Sequence, residues 1–245
     1  MILYNKIQTE CIEHPPSPLM IIAGAGTGKT TTIVGRIAHL IKEHNIDPKS
    51  ILAMTYTVKA AEHLKSEISN AVGSDYDSIN ALNFHSFALN HIQSYYEFLG
   101  YKKSPTLIET NESKYLIRKL ILDNANNFIS SDYRKNSNSA FLSFPKIFND
   151  LSDDLIYGDE LNEKYKELLN KTEHNEEDKQ LIDALSTYFL YQNIKKDNDF
   201  IDFGDMLVNL WVLLKDNDKF KIITNSIDHV IVDEFQDNNF ALTEI

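Results

Sequence analysis

The apolar run Pro18-Leu19-Met20-Ile21-Ile22 passes directly into Ala23-Gly24-Ala25-Gly26-Thr27-Gly28-Lys29-Thr30, and this junction constrains the fold more than any other stretch. The apolar residues predict a short buried strand over Leu19 to Ala23. The spacing of Ile33, Ile37, Leu40 and Ile41 predicts a helix from Lys29 to about His44. The glycines between them carry no Cβ, so backbone N–H groups can close on phosphate oxygens where the helix directs its positive end. Strand, glycine-rich turn and helix in this order make a phosphate cradle. Gly24, Ala25, Gly26, Thr27, Gly28, Lys29, Thr30 and Thr31 are the candidate contacts for a nucleoside triphosphate. Lys29 would reach the outer phosphates and the Thr30 hydroxyl would sit on Mg²⁺. Ala23 fills a slot that is more often glycine, so the match is to the looser form of the pattern.

Two other motifs are suggested by their letters and fail on context. Gly24-x-Gly26 would need a third glycine at position 29, which is Lys29, to bind a dinucleotide. Asp202-Phe203-Gly204 spells a kinase metal motif, but no H-R-D-type catalytic loop accompanies it.

At 245 residues the chain has material for one large domain or two small ones. No apolar run approaches the roughly 18–20 residues of a membrane span, and the N-terminus lacks a signal-peptide pattern, so a cytoplasmic protein is expected. The single cysteine, Cys11, excludes an internal disulfide and a multi-cysteine metal site. The net charge of −12 is unevenly spread. Residues 1–110 carry 9 basic and 10 acidic side chains, and residues 111–245 carry 15 and 26. A near-neutral first segment can still contact a phosphate backbone, with modest, salt-sensitive affinity.

The first third alternates strand and helix: Ile51 to Thr55, then a helix from Val58 to Val72, then Ile79 to Asn83 and a helix from His85 to Gly100. This repetition predicts an α/β fold with a parallel sheet covered by helices on both faces. From Ser104 to Asn198 apolar residues fall at helical spacing without a strand run, as in Leu181, Leu185, Tyr188 and Phe189. Phe200 to Leu214 reads as an amphipathic helix and Ile227 to Val232 as a strand. The expected organisation is a discontinuous α/β lobe, 1–103 and 198–245, with an inserted all-helical subdomain over 104–197.

The last strand runs into Asp233-Glu234-Phe235-Gln236-Asp237. Ligands gather at the carboxyl ends of parallel strands, and an acidic pair there can face a phosphate loop. Asp233 is the candidate metal ligand, directly or through water, and Glu234 the candidate general base. An exposed acidic turn at a strand end is the competing explanation, and these residues alone do not separate the two.

The order of segments resembles the UvrD/Rep/PcrA group of superfamily 1 DNA helicases across essentially the whole chain. Asn5-Lys6-Ile7-Gln8 resembles the group's Q motif and Ala23 to Thr30 its motif I. Ile51 to Ala61 resembles motif Ia, Phe84-His85-Ser86 motif Ib, Asp202-Phe203-x-Asp205-Met206-Leu207 the acidic helix, and Asp233 to Asp237 motif II. The resemblance implies a P-loop, RecA-like lobe binding ATP and Mg²⁺. Lys29, Asp233 and Glu234 would then be catalytic, Gln8 would read the adenine edge, Arg36 would lie beside the base and Gln236 would join the nucleotide site. It also implies contacts to single-stranded DNA and to single/double-strand junctions through Thr55, Tyr56, Thr57, Lys59, Phe84 and His85, with 3′ to 5′ unwinding. Each role has a plainer rival: Gln8 as an exposed helix residue, Arg36 as surface cover, Tyr56 as core, His85 as a locally satisfied helix start, Asp202 and Asp205 as caps. Val58 stands where the group usually has Asn, and Asn83 where it commonly has Thr, which puts strand binding in question more than nucleotide binding.

The sequence ends at Ile245, eight residues past Asp237. Motif III, a second RecA-like lobe and its arginines would follow in the group. The expectation is therefore a monomeric N-terminal fragment, nearly inactive alone, of a helicase that is active at full length. Two alternatives stay open: a non-motor module binding nucleotide or single strands, and the helicase lobe of a helicase-nuclease or defence system.

Overall fold

A computed structural model describes residues 3–24, 26–73 and 79–245. The chain forms two compact units, residues 1–87 with 217–237 and residues 88–216 with 238–245. The expected boundaries at 103/104 and 197/198 lie inside the second unit. Local bonds explain the shift: the Asp199 carboxylate accepts the Lys102 N–H at 2.8 Å and the Asn209 amide donates to the Tyr101 hydroxyl at 3.0 Å. These contacts draw the segment after helix α4 (Phe84–Ser94) and helix α10 (Phe203–Lys215) into the helical body.

The first unit is built on a three-stranded parallel sheet in the order β2-β1-β5. Strand β1 (Ile51–Thr55) is buried along its whole length, as an apolar strand flanked on both sides requires. Strand β2 (Asn80–Asn83) pairs on one side of it, with Ala53 opposite Ala81, and β5 (His229–Val232) on the other, with Ala53 opposite Ile231. Helices α2 (Lys29–His44) and α3 (Val58–Val72) supply Ile37, Leu40, Leu64 and Ile68 to one core with Ile51 and Ala53. Each of those large side chains, taken fully out of water, contributes about 1.5–3 kcal/mol. Helix α1 (Lys6–Ile12) approaches α2 at Gly35, where a Cβ would lie 2.7 Å from the Ile12 Cδ1 atom. Helix α11 (Asn217–Thr224) precedes β5.

The strand expected over Leu19 to Ala23 is not formed. Among the described residues no strand pairs with this segment, Met20 is exposed and Ile22 is 91% exposed. β-structure needs a neighbour for its backbone N–H and C=O groups, and apolar composition does not supply one.

The second unit contains α5 (Thr110–Asn124), α6 (Ser131–Lys135), α7 (Ser137–Asp153), α8 (Gly158–Leu169), α9 (Glu176–Asp197), α10 and α12 (Phe240–Glu244). Its core is aromatic: Phe144 meets Tyr133 edge-to-face at 5.2 Å, and Phe148 meets Tyr188 at 5.0 Å. In a two-residue parallel pair, β3 (Thr106–Leu107) lies in the stretch expected to be helical from Ser104 to Asn198, and β4 (Phe200–Ile201) takes the start of the helix expected over Phe200 to Leu214, which begins at Phe203 instead. Two residues are too few for a period-two pattern to be visible. No helix among the described residues is long and apolar enough to cross a membrane.

Candidate nucleotide site and the family it defines

The glycine-rich turn adopts backbone conformations that require its glycines, with Gly26 at φ 74° and Gly28 at φ 88°. Gly28 caps α2 without a side-chain hydrogen bond, and among the described residues no side chain is bonded to the first N–H groups of the helix. Sixteen residues of aligned peptide dipoles end there, which makes the N-terminus of α2 a receptor for anionic oxygen. Thr27 shapes the loop by donating its hydroxyl to the Gly24 carbonyl at 2.8 Å. Ala25 lies outside the described residues, and Thr31 is half-buried in the first turn of α2.

Strand β5 delivers the acidic pair to the same place. Lys29 Nζ lies 2.8 Å from Glu234 Oε2 across 205 positions of sequence, and the Gln236 amide also donates to that oxygen. Glu234 occupies the left-handed region at φ 54°, an uncommon backbone for a residue with a Cβ. Its N–H bonds the Asp233 carboxylate at 2.9 Å, and the Asp233 N–H continues the sheet by donating to Met54. Partial burial raises the Asp233 carboxyl, partly offset by the Glu234 N–H, the Lys29 charge and a side-chain bond from Thr30. The bond to Lys29 lowers Glu234, and the same bond raises Lys29.

Thr30 and Asp233, the two candidate Mg²⁺ residues, are therefore neighbours. Among the described residues no cluster of three or more His, Cys, Asp or Glu could hold a metal alone. A hydroxyl and one carboxylate beside uncapped N–H groups suit an ion that keeps most of its shell for water and phosphate oxygens.

The base-side candidates are engaged within the protein. Gln8 belongs to a capping box: Asn5 Oδ1 accepts the Gln8 N–H, and Gln8 Oε1 accepts the Asn5 N–H, both at 2.9 Å. Its Nε2 donates to the Thr27 carbonyl at 3.1 Å, so the amide ties α1 to the glycine-rich turn. Arg36 is buried, donating Nη1 to the carbonyls of Ile12, at 3.0 Å, and His14, and Nη2 to that of Pro15 at 2.8 Å. Desolvation lowers its pKa.

Of the DNA candidates, Tyr56, Thr57 and Lys59 are exposed after β1. Thr57 caps α3, its hydroxyl accepting the Ala60 N–H. Thr55 and Phe84 are core instead: Thr55 is 1% exposed with its hydroxyl bonded to the Thr57 carbonyl, and Phe84 is buried at the start of α4. His85 is half-buried, and desolvation lowers its pKa. Asn83 keeps an acceptor at its position, taking the Ser86 N–H at 2.9 Å.

Asp202 and Asp205 form a capping box on α10, and both bind Lys195, at 2.7 and 2.6 Å. Lys195 is 2% exposed, and Tyr191 donates its hydroxyl to Asp202. Lys195 stands in Lys195-Lys196-Asp197, a charge run of the kind that usually faces solvent. The available signal is its register, i+4 from Tyr191 and i+7 from Tyr188 on the buried stripe of α9.

Lys29 in the first turn of α2 thus meets Glu234 just past the end of β5. Residues 4–245 match the UvrD/REP helicase N-terminal domain, and the chain belongs to this family. It is 32% identical over 238 residues to a probable DNA helicase II homolog of Mycoplasma capricolum, covering 97% of this chain and 31% of that protein. It is 30% identical to the ATP-dependent DNA helicase Rep of Buchnera aphidicola, covering 97% and 32%. To the ATP-dependent DNA helicase PcrA of Staphylococcus epidermidis it is 28% identical, covering 97% and 30%. The chain thus spans about a third of the length of these relatives.

Proposed function

We propose that this chain is the ATP-binding, RecA-like lobe of an ATP-dependent DNA helicase, carrying an inserted helical subdomain. The convergence of Lys29 and Glu234 at 2.8 Å, with Thr30 on Asp233, is the observation that carries the reading. The uncapped N-terminus of α2 receives the phosphates, and Lys29 leaves Glu234 for the outer phosphate oxygens as nucleotide enters. Thr30 and Asp233 would hold Mg²⁺, which would supply neutralisation of charge on the phosphates. Glu234, released from Lys29, accepts the proton of the attacking water. Gln8 and Arg36 order the α1 segment that borders the base. Tyr56, with Thr57 and Lys59, contacts single-stranded DNA through ring stacking and phosphate bonds. The 3′ to 5′ polarity and preference for strand junctions are proposed on family membership alone.

The chain by itself is expected to bind Mg-nucleotide and to turn it over slowly. Titration with a fluorescent ATP analogue tests this. Binding should need Mg²⁺ and be lost in Lys29→Ala, whereas Glu234→Gln should keep binding and remove residual turnover. Equal binding by wild type and Lys29→Ala would refute the site.

A further inference from the structure

A groove in the helical unit lies outside the proposed nucleotide chemistry. It runs between α5 and α7 as an open cleft of about 330 Å³. Ile117 and Ile121 of α5 form its floor and belong to the core, so the floor is fixed by packing and not by loop conformation. Phe141 and Pro145 of α7 make the opposite wall. The Arg118 guanidinium sits 4.6 Å above the Phe141 ring centre, which orients both. Leu142 stands at the lip, 81% exposed.

The charge around this groove opposes that of its surroundings. Residues 111–245 carry 26 acidic and 15 basic side chains, yet the charged residues lining the groove, Lys114 and Arg118, are both cations. They lie one helical turn apart on α5, both are exposed, and among the described residues neither has a carboxylate partner. An apolar trough between two helices takes the apolar stripe of a third, and two cations on one wall select carboxylates beside that stripe. A nucleic-acid backbone would meet the cations but leave Ile117, Ile121 and Leu142 against charged phosphate. The cleft is at the small end of ligand sites, enough for a few side-chain anchors.

We infer that the α5–α7 groove docks an acidic amphipathic helix of a partner protein, with apolar anchors over Ile117 and Ile121 and carboxylates on Lys114 and Arg118. The inference does not depend on the nucleotide site. The test uses a fluorescein-labelled helical peptide with Leu at i, i+3 and i+7 flanked by Glu, titrated with the 245-residue chain by anisotropy. A peptide of the same composition with its leucines scattered is the control. Saturable binding is expected, weakened about tenfold or more by K114E/R118E and independently by L142D. All three positions are exposed, so circular dichroism should show the variants folded. Binding should be unchanged in Lys29→Ala. Equal affinity for both peptides, or retention of affinity in K114E/R118E, would overturn the inference. So would an oligo-dT strand displacing the peptide from wild type and losing its own affinity through the same charge reversals, since the groove would then be a nucleic-acid contact.

Discussion

Replacing Lys195 by Met keeps the length and apolar stem of the side chain and removes one charge from the interior of the helical unit. In the wild type its ammonium bridges Asp202 and Asp205 at 2.7 and 2.6 Å, with side chains only 2%, 18% and 12% exposed. Deleting one member of a buried ion pair costs about 3–5 kcal/mol, because the remaining charge has lost both its partner and water. For a chain of this size that corresponds to a fall of roughly 6–20 °C in Tm. The pH dependence has a definite sign. Burial raises Asp205 from 3.8 to about 6, with Lys195 offsetting only part of the cost. This group therefore favours the fold most in acid, and that contribution declines as pH rises from about 4 to 6. Burial would raise Asp202 as well, but the Lys195 charge and its hydrogen bonds hold it below its ordinary value. Its contribution is present at neutral pH and is lost as pH falls below about 4. Without Lys195 both carboxyls rise, so the deficit of Lys195→Met should be largest above pH 7 and shrink as protonation removes the orphaned charges. Urea denaturation at pH 5.5 and 8, followed by circular dichroism, measures this. A loss below about 1 kcal/mol at pH 8, or a deficit that grows on acidification, would show that the triad is not coupled in this way.

Two further changes probe the first unit. Gly28→Ala places a Cβ 2.8 Å from Gln8 Nε2 at a φ of 88°, so it should cost about 1–2 kcal/mol of local strain, break the Gln8–Thr27 bond and weaken ATP-analogue binding. Unchanged analogue affinity would mean that the loop tolerates another shape. Arg36→Met leaves the carbonyls of Ile12, His14 and Pro15 without their donor, a loss of about 1–3 kcal/mol. Limited proteolysis should show faster cleavage near residues 12–17, and an unchanged pattern would refute that tether.

How far the sequence could be read depended on how local each signal is. Helices α2 and α3 lie where expected because their apolar spacing and glycine or threonine caps are written in adjacent residues. The meeting of Lys29 with Glu234 was legible too, since a glycine-rich turn opening a helix and an acidic pair closing a strand are both local patterns. Leu19 to Ala23 misled because apolar letters announce burial, whereas a strand also needs a neighbour alongside. Thr55 and Phe84 lie in segments that resemble DNA-contact motifs, but their burial is decided by packing that no local pattern records. Arg36 and Lys195 were hidden for the same reason: the three carbonyls and two carboxylates they bind come from other segments of the chain.

The β5 edge has a consequence for handling the protein. Val230 is exposed on an outer strand of the sheet, and among the described residues no strand pairs with the run from Leu19 to Ile22. Such edges are templates for adhesion between molecules. The charge of −12 keeps copies apart in dilute buffer, and salt shortens the reach of that repulsion to about 8 Å at physiological strength. Concentrated stocks should therefore turn turbid as ionic strength rises, and mild urea or a lysine introduced at Val230 should keep them clear.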